Sequence, residues 1–225
     1  MDGVPLETLP LTQDTARDLG TALAGLDRAF DGFSHPGERP ELLWDLQRAA
    51  ELRCLQSCID DAGIKACVAR VIDDFENNVL PEMSGLRSQV IHGDPNPGNV
   101  LTTEVGMGFI DFGDIVKAPL VFDVAIAASY LRAFDASPLQ FIVPFVAAYH
   151  AVMPLTTQEA ELLFDLVRAR LATTISLLYW RLDARGQDDP YRQKALEGES
   201  GAAIFLGLLD SLGRERFRQE ISFIQ

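Results

Sequence analysis

Between Gln89 and Asp123 the chain reads QVIHGDPNPGNVLTTEVGMGFIDFGDIVKAPLVFD, and this stretch limits the fold more than any other. Val90 and Ile91 form a short apolar run that His92-Gly93-Asp94 interrupts, which predicts a buried strand ending in a polar triplet. Pro95 and Pro97 follow at once. Each fixes its φ and lacks a backbone donor, so residues 94–98 fit neither a regular helix nor a central strand, and a stiff loop is expected. Asn99 stands five positions after Asp94, and Val100 to Thr103 resumes an extended pattern. A turn around Glu104 to Gly106 returns the chain as Met107 to Phe112, which places Asp111 beside Asn99 across a hairpin.

That order of residues suits phosphoryl transfer. The protein there mostly positions groups and neutralises charge, so it needs an Asp to orient and deprotonate the acceptor hydroxyl. It also needs Asn and Asp oxygens for a Mg²⁺ ion that bridges the nucleotide phosphates. Asp94, then Asn99, then Asp111-Phe112-Gly113 supplies the set. A lone Asp-x-x-x-x-Asn is common by chance, and so is a turn ending in glycine. The joint arrangement, with strands on both sides of a stiff loop, is not.

At these residues the chain resembles the aminoglycoside phosphotransferase and hydroxylysine kinase family, the small-molecule branch of the protein-kinase-like fold. HGDPNPGN is similar to that family's catalytic loop, FIDFGD to its metal-binding acidic motif, and PLVFDVAIA to the segment that follows. The resemblance implies Asp94 as catalytic base, Asn99 and Asp111 as ligands of the Mg²⁺ that accompanies ATP, and Asp123 as a structural acid bracing the loop. GTP is left open beside ATP. His92 reads as a packing or supporting histidine rather than a proton carrier. By the same resemblance, helices spanning 136–185 build the acceptor pocket. Tyr179, Trp180 and Asp183 are its expected aromatic and acidic lining, although helix packing accounts for the same residues. Asp114 is expected to aid the metal, to meet the acceptor, or simply to turn the chain.

The resemblance also marks a gap. A kinase of this kind carries, ahead of its catalytic loop, a mostly β N-lobe with a phosphate-covering loop and a lysine that pairs the phosphates. Here the residues ahead of His92 read as helices, and none of Lys65, Lys117 and Lys194 stands where that lysine belongs. The expected fold is therefore mainly α with a small β-hairpin: a protein-kinase-like C-lobe of the aminoglycoside phosphotransferase type, with the N-lobe absent. Residues 1–11 read as the end of a hinge and 12–225 as the helical lobe. The expected activity is an ATP-dependent small-molecule kinase, with the missing lobe or a fused domain as partner, and little turnover from the chain alone. A non-catalytic binding or regulatory module derived from such a kinase is the competing reading. A two-metal phosphohydrolase fits less well, because few histidines and carboxylates flank Asp111.

Composition narrows the partners. A net charge of −14 disfavours nucleic acid and anionic membranes, both of which reward basic patches, and is compatible with small cationic substrates such as amines. No apolar run reaches the eighteen residues of a membrane span and no secretory pattern opens the chain, so a cytoplasmic protein is expected. Cys54, Cys58 and Cys67 show neither zinc nor disulfide spacing and read as buried reduced thiols.

Periodicity sets the remaining elements. An irregular start gives way to a helix capped by Thr12 that carries Leu19, Leu23, Leu26 and Phe30. Pro40 is expected to open a helix through Leu55, with Trp44 in the core. A third helix carries Val68, Val71, Ile72, Phe75 and Val79. Pro119 is expected to open a buried helix, and Ser137-Pro138 another bent at Pro144. Thr156 and Glu159 form a capping-box signature for a long helix to about Asp183, which Gly186 stops. Two short helices parted near Gly213 finish the chain.

Overall fold

The computed structural model describes residues 2–37, 41–135, 137–185 and 189–224. Strand β1 (Val4–Pro5) and a 3-10 turn (Leu6–Thr8) lead into helix α1 (Gln13–Ala29). Thr12 caps α1, its side chain accepting from Thr15 N. After a 3-10 segment over Leu46–Cys58 come α2 (Ala62–Asp74), strand β2 (Ser88–Ile91), the hairpin β3 (Val100–Thr103) and β4 (Gly106–Phe109), and strand β5 (Val116–Pro119). Helices α3 (Val121–Tyr130), α4 (Ile142–Val152), α5 (Thr157–Asp183), α6 (Pro190–Leu212) and α7 (Arg214–Glu220) complete the chain.

The core forms around α3 and α5. From Val121 to Ser129 every side chain of α3 is buried, because VFDVAIAAS is apolar on nearly all sides and its alanines let neighbours approach closely. Each fully buried Phe or Leu in such a core contributes about 1.5–3 kcal/mol relative to exposure. Helix α1 packs on α4 at Gly20, where an added Cβ would lie 2.2 Å from Phe145 O. The long α5 begins with the expected capping box. Thr156 Oγ1 accepts from Glu159 N at 3.2 Å, and Glu159 Oε2 accepts from Thr156 N at 2.8 Å. That carboxylate also receives Arg87, which ties α5 to the entry of β2.

Two small antiparallel sheets hold the functional stretch. The expected hairpin forms, pairing Val100 with Phe109 and Thr103 with Gly106, so that Ile110 rather than Asp111 falls against Asn99. β1 adds to its edge through Val4 and Leu101's neighbour Thr102, so the residues read as a hinge tail are ordered by strand pairing, with Leu6 buried. The second sheet was not legible in the sequence. β5 pairs with β2 from Ser88–Pro119 to Ile91–Val116, and Pro119 closes a strand rather than opening a helix. A proline is tolerated there because it sits at the strand end.

Other departures are local. The segment after Asp45 winds as a 3-10 helix of three residues per turn, and Cys54 faces solvent while Cys58 and Cys67 are half-buried, so the thiols are free but not core. Pro144 lies in the first turn of α4, where its missing donor costs nothing, and the helix starts at Ile142 instead of Ser137. The chain ends in one long and one short helix, parted by Gly213 at φ +79°. Pro40 and Gly186 lie outside the described residues. Among the described residues no helix is long and apolar enough to cross a membrane.

Candidate active site

β2 delivers His92, Gly93 and Asp94 from the core to a cleft. Asp123, fully buried in the first turn of α3, holds the passage: its Oδ2 accepts from His92 N at 2.7 Å and its Oδ1 from Gly93 N at 2.9 Å. Without those donors a buried carboxylate would cost several kcal/mol. The His92 ring acts as a strut. Its Nε2 donates to Ile110 O at 2.9 Å while Nδ1 accepts from Asp94 N at 3.3 Å, so one imidazole joins the loop to the residue before Asp111. Gly93 adopts φ +80°, and a Cβ there would stand 2.4 Å from the backbone oxygen of Asp114. Side chains are excluded twice over, by conformation and by space.

A second carboxyl lies beneath Asp123. Asp27, from the apolar face of α1, is fully buried, and its Oδ2 accepts from Tyr149 Oη at 2.6 Å. Its buried Oδ1 accepts no hydrogen bond. Burial pushes the Asp27 pKa well above the usual carboxyl range, and the neighbouring Asp123 charge pushes the same way. A proton on Oδ1, donated to Asp123, resolves both facts. Burial raises the Asp123 pKa as well, while neighbouring His92, the two backbone amides and the Asp27 hydrogen bond pull it down, so of the two acids Asp27 is the one that holds the proton.

Asp94 is gripped on both oxygens. Oδ1 accepts from Arg170 Nη2 at 2.6 Å and Oδ2 from Asn96 Nδ2 at 2.7 Å, so the carboxylate plane is fixed. Asn96 Oδ1 in turn accepts from Gly98 N at 2.8 Å, closing the proline-rich loop on itself. Asn99 Nδ2 donates to Asp94 O at 3.0 Å, which leaves its Oδ1 as the atom available to a ligand. Ile110 N donates to Asn99 O at 3.0 Å and brings the Asp111 segment alongside. Asp111 has φ 60°, ψ 66°, the one positive φ outside glycine among the described residues. Aspartate tolerates that region better than most residues, and such strain gathers at functional sites.

An amide oxygen and an exposed carboxylate are hard donors of the kind Mg²⁺ accepts. Among the described residues no three His, Cys, Asp or Glu side chains gather into a self-contained metal centre. A Mg²⁺ here would complete its shell with water and phosphate oxygens, as it does in nucleotide sites.

Beside Asp94 opens a cavity of about 270 Å³. Asp94, Asp114 and Arg170 stand at it together with Trp44 and Tyr130, and the rest of the wall comes from α5. Trp44, expected in the core, instead lines this space and donates from Nε1 to Asp114 Oδ2 at 3.1 Å. Burial, then the Asp94 charge, raises the Asp114 pKa. Arg170 Nη2 also reaches Tyr130 Oη at 3.2 Å, and Nη1 reaches Trp44 O at 3.3 Å.

Tyr179, Trp180 and Asp183 do not line the cavity. One helical step is about 100°, so the neighbours of an inward residue face elsewhere. Tyr179 lies near Asp60 and Asp61, and Trp180 and Asp183 are exposed. The α5 side chains that do line the cavity include Thr173, Leu177 and Arg181. One hint of this lies in the sequence: Arg170 interrupts an otherwise apolar helical stripe, as Asp27 interrupts the stripe of α1. A charge placed on a core face is a signal of pairing.

Residues 1–163 match the phosphotransferase enzyme family. The chain belongs to that family. A hydroxylysine kinase of Xenopus laevis is 25% identical over 207 residues, which cover 85% of this chain and 55% of that protein. The chain thus spans about half the length of the curated relatives it matches. Among solved structures, a microcompartment-associated aminopropanol kinase superposes with a TM-score of 0.71 at 20% identity, over 94% of this chain and 66% of the other. An amicoumacin kinase in complex with AMP-PNP, Ca²⁺ and Ami gives 0.61 at 15% identity over 90% and 60%. The fold of this family member is therefore that of the protein-kinase-like small-molecule kinases, α+β with small sheets.

Proposed function

We propose that these residues form the base, metal and acceptor region of an ATP-dependent kinase that phosphorylates a hydroxyl on a small amine-bearing alcohol. The observation that carries this is the Asp94 carboxylate, clamped between Arg170 and Asn96 at the edge of a small cavity, with Asn99 Oδ1 and Asp111 alongside. An acceptor hydroxyl entering the cavity donates its hydrogen bond to Asp94. Asp94 orients that oxygen toward the γ-phosphorus and takes the proton as the new P–O bond forms and the bond to the leaving diphosphate breaks. Asn99 and Asp111 would hold Mg²⁺, which neutralises charge on the nucleotide phosphates. Arg170 and Asn96 keep the base from rotating, and Asp123 with His92 keeps its loop in register with the metal side.

Two things support an amine on the acceptor. Hydroxylysine and aminopropanol, named in two of the relatives, are both amino alcohols. In this chain Asp114 is a carboxylate at the cavity with no ion-pair partner among the described residues, beside the indole of Trp44. A phosphate-covering loop and its lysine have no counterpart among the described residues. We therefore read a further lobe or fused domain as the partner, and the 225-residue chain alone as a weak nucleotide binder with negligible turnover.

In the full-length protein, Asp94→Asn is expected to lower kcat about 10²–10⁴-fold while calorimetric Mg·ATP affinity stays near wild type. Asp111→Asn is expected to weaken Mg·ATP binding as well. A wild-type kcat in Asp94→Asn would remove Asp94 as the base.

A further inference from the structure

Asp27 is the fully buried carboxyl of α1, and it stands where α1, α3, α4 and β2 meet. Its main-chain oxygen accepts from Gln89 Nε2 of β2 at 2.6 Å. Its carboxyl is hydrogen-bonded to Tyr149 of α4 and to Asp123 of α3. Two carboxyls can share a hydrogen bond only through a proton that one of them carries. Tyr149 Oη already donates to Oδ2, so the oxygen that carries the proton is Oδ1, which no other donor reaches.

Asp123 is thus held from two sides. In front are the amides of His92 and Gly93, which set where the chain leaves β2 on its way to Asp94, and behind is Asp27. Helices packed through apolar residues wall most of this space, and the loop is its irregular side. Neither acid has an ion-pair partner among the described residues. The groups that face them are Tyr149 from α4 and the His92 ring from the loop, whose nitrogens are taken by Ile110 O and Asp94 N. β4 has no titratable side chain, and Arg28 and Asp31 beside Asp27 in the chain are exposed. Farther off, Glu159 of α5 is matched by Arg87.

We infer that Asp27 is a positioning residue for Asp94: the proton it donates to Asp123 keeps that carboxylate on the His92 and Gly93 amides, and losing the proton frees the loop that carries Asp94. Two bare charges in this space repel, and the repulsion is relieved where water can enter. That place is the irregular wall, so the two amides let go before any helix does. Because burial, and next the Asp123 charge, raise the Asp27 pKa, the hold is full below its ordinary value of 3.8 and is lost as pH rises through the raised value. The consequence for turnover rests on reading Asp94 as the base, whereas the consequence for the loop does not.

The test is hydrogen exchange of this chain, followed amide by amide by NMR and corrected for intrinsic rates. His92 and Gly93 are compared with Val167 and Leu171 in the middle of α5. Between about pH 5 and about pH 9, their protection relative to α5 is expected to fall about tenfold or more in wild type. In Asp27→Asn, whose amide donates to Asp123 at every pH, the ratio is expected to stay level. Asp27→Leu has no hydrogen to give and should show the low ratio throughout. Tyr149→Phe removes the other contact of the Asp27 carboxyl and is the control for packing: stability should fall while the ratio still follows pH.

A level ratio in wild type, or an equal fall in Asp27→Asn, overturns the inference. So does release of the loop in Tyr149→Phe as complete as in Asp27→Leu, since packing would then be the cause. Should Asp27→Leu not fold, wild type against Asp27→Asn decides alone. In the full-length protein, Asp27→Leu is expected to lower kcat about 10–10²-fold with Mg·ATP affinity nearly kept, the cost of a misaimed group, and Asp27→Asn to recover much of it. A wild-type kcat in Asp27→Leu removes the positioning role. A wild-type kcat in Asp94→Asn removes the base instead, and leaves the exchange result standing.

Discussion

The loop from His92 to Asp114 and the inner face of α5 meet at one carboxylate and are built in opposite ways. The loop is irregular and crowded: a glycine at φ +80° against a backbone oxygen, an aspartate at φ 60°, and two buried carboxyls beneath. Helix α5 is regular from Thr157 to Asp183 and presents its groups by periodicity alone. The loop fixes where Asp94 points, and the helix supplies its countercharge and the shape beside it. Precision at Asp94 thus comes from crowding, whereas the cavity wall beside it is set by positions that a helix can change one at a time.

Breaking the junction should have the largest effect. Arg170→Leu leaves Asp94 without its countercharge in a partly buried setting, and removing one partner of such a pair costs about 3–5 kcal/mol. The lower end is expected because Asp94 retains some solvent; urea denaturation measures it. A loss below about 1 kcal/mol would mean that the loop holds Asp94 unaided.

Crowding itself is tested by Gly93→Ala. The added methyl meets Asp114 O and a left-handed backbone, a combined cost of about 2–4 kcal/mol by denaturation. The equivalent change at Gly25 on α1, where nothing lies within 4 Å, should be neutral or slightly stabilising.

The subtlest test concerns the acid pair. The folded-state pKa of Asp27 lies above its ordinary value of 3.8, chiefly through burial and next through Asp123. The native state therefore binds more protons than the unfolded chain in that window. The stability contribution is full below pH 3.8 and declines as pH rises through the raised value. Asp27→Asn places an amide where the acid was, donating to Asp123 and accepting from Tyr149. It is expected to flatten that part of the stability–pH curve, read by urea midpoints from pH 5 to pH 9 (about the accessible range). An unchanged slope would mean that the pair does not share a proton.

The same contrast explains what the sequence revealed. The loop and hairpin that carry Asp94, Asn99 and Asp111 were legible because they are local in the chain, and Pro95 and Pro97 advertise the stiffness. Thr12, Thr156 and the apolar faces of α1 and α2 were legible for the same reason. Arg170 was not, since its partner is 76 positions away, nor was Trp44, whose indole reaches Asp114 across 70. The β2–β5 ladder escaped notice because each strand is four residues long and Pro119 imitates a helix start. Tyr179, Trp180 and Asp183 have chemistry suited to a pocket but fall, by helical phase, on faces of α5 away from the cavity.

The guanidinium that steadies Asp94 arrives on a helix whose own docking requires α3 and the chain around Trp44 to be in place. A half-assembled polypeptide consequently has its acid group but not the companion that aims it. Assembly of the tertiary structure and the aiming of this carboxylate therefore arrive together.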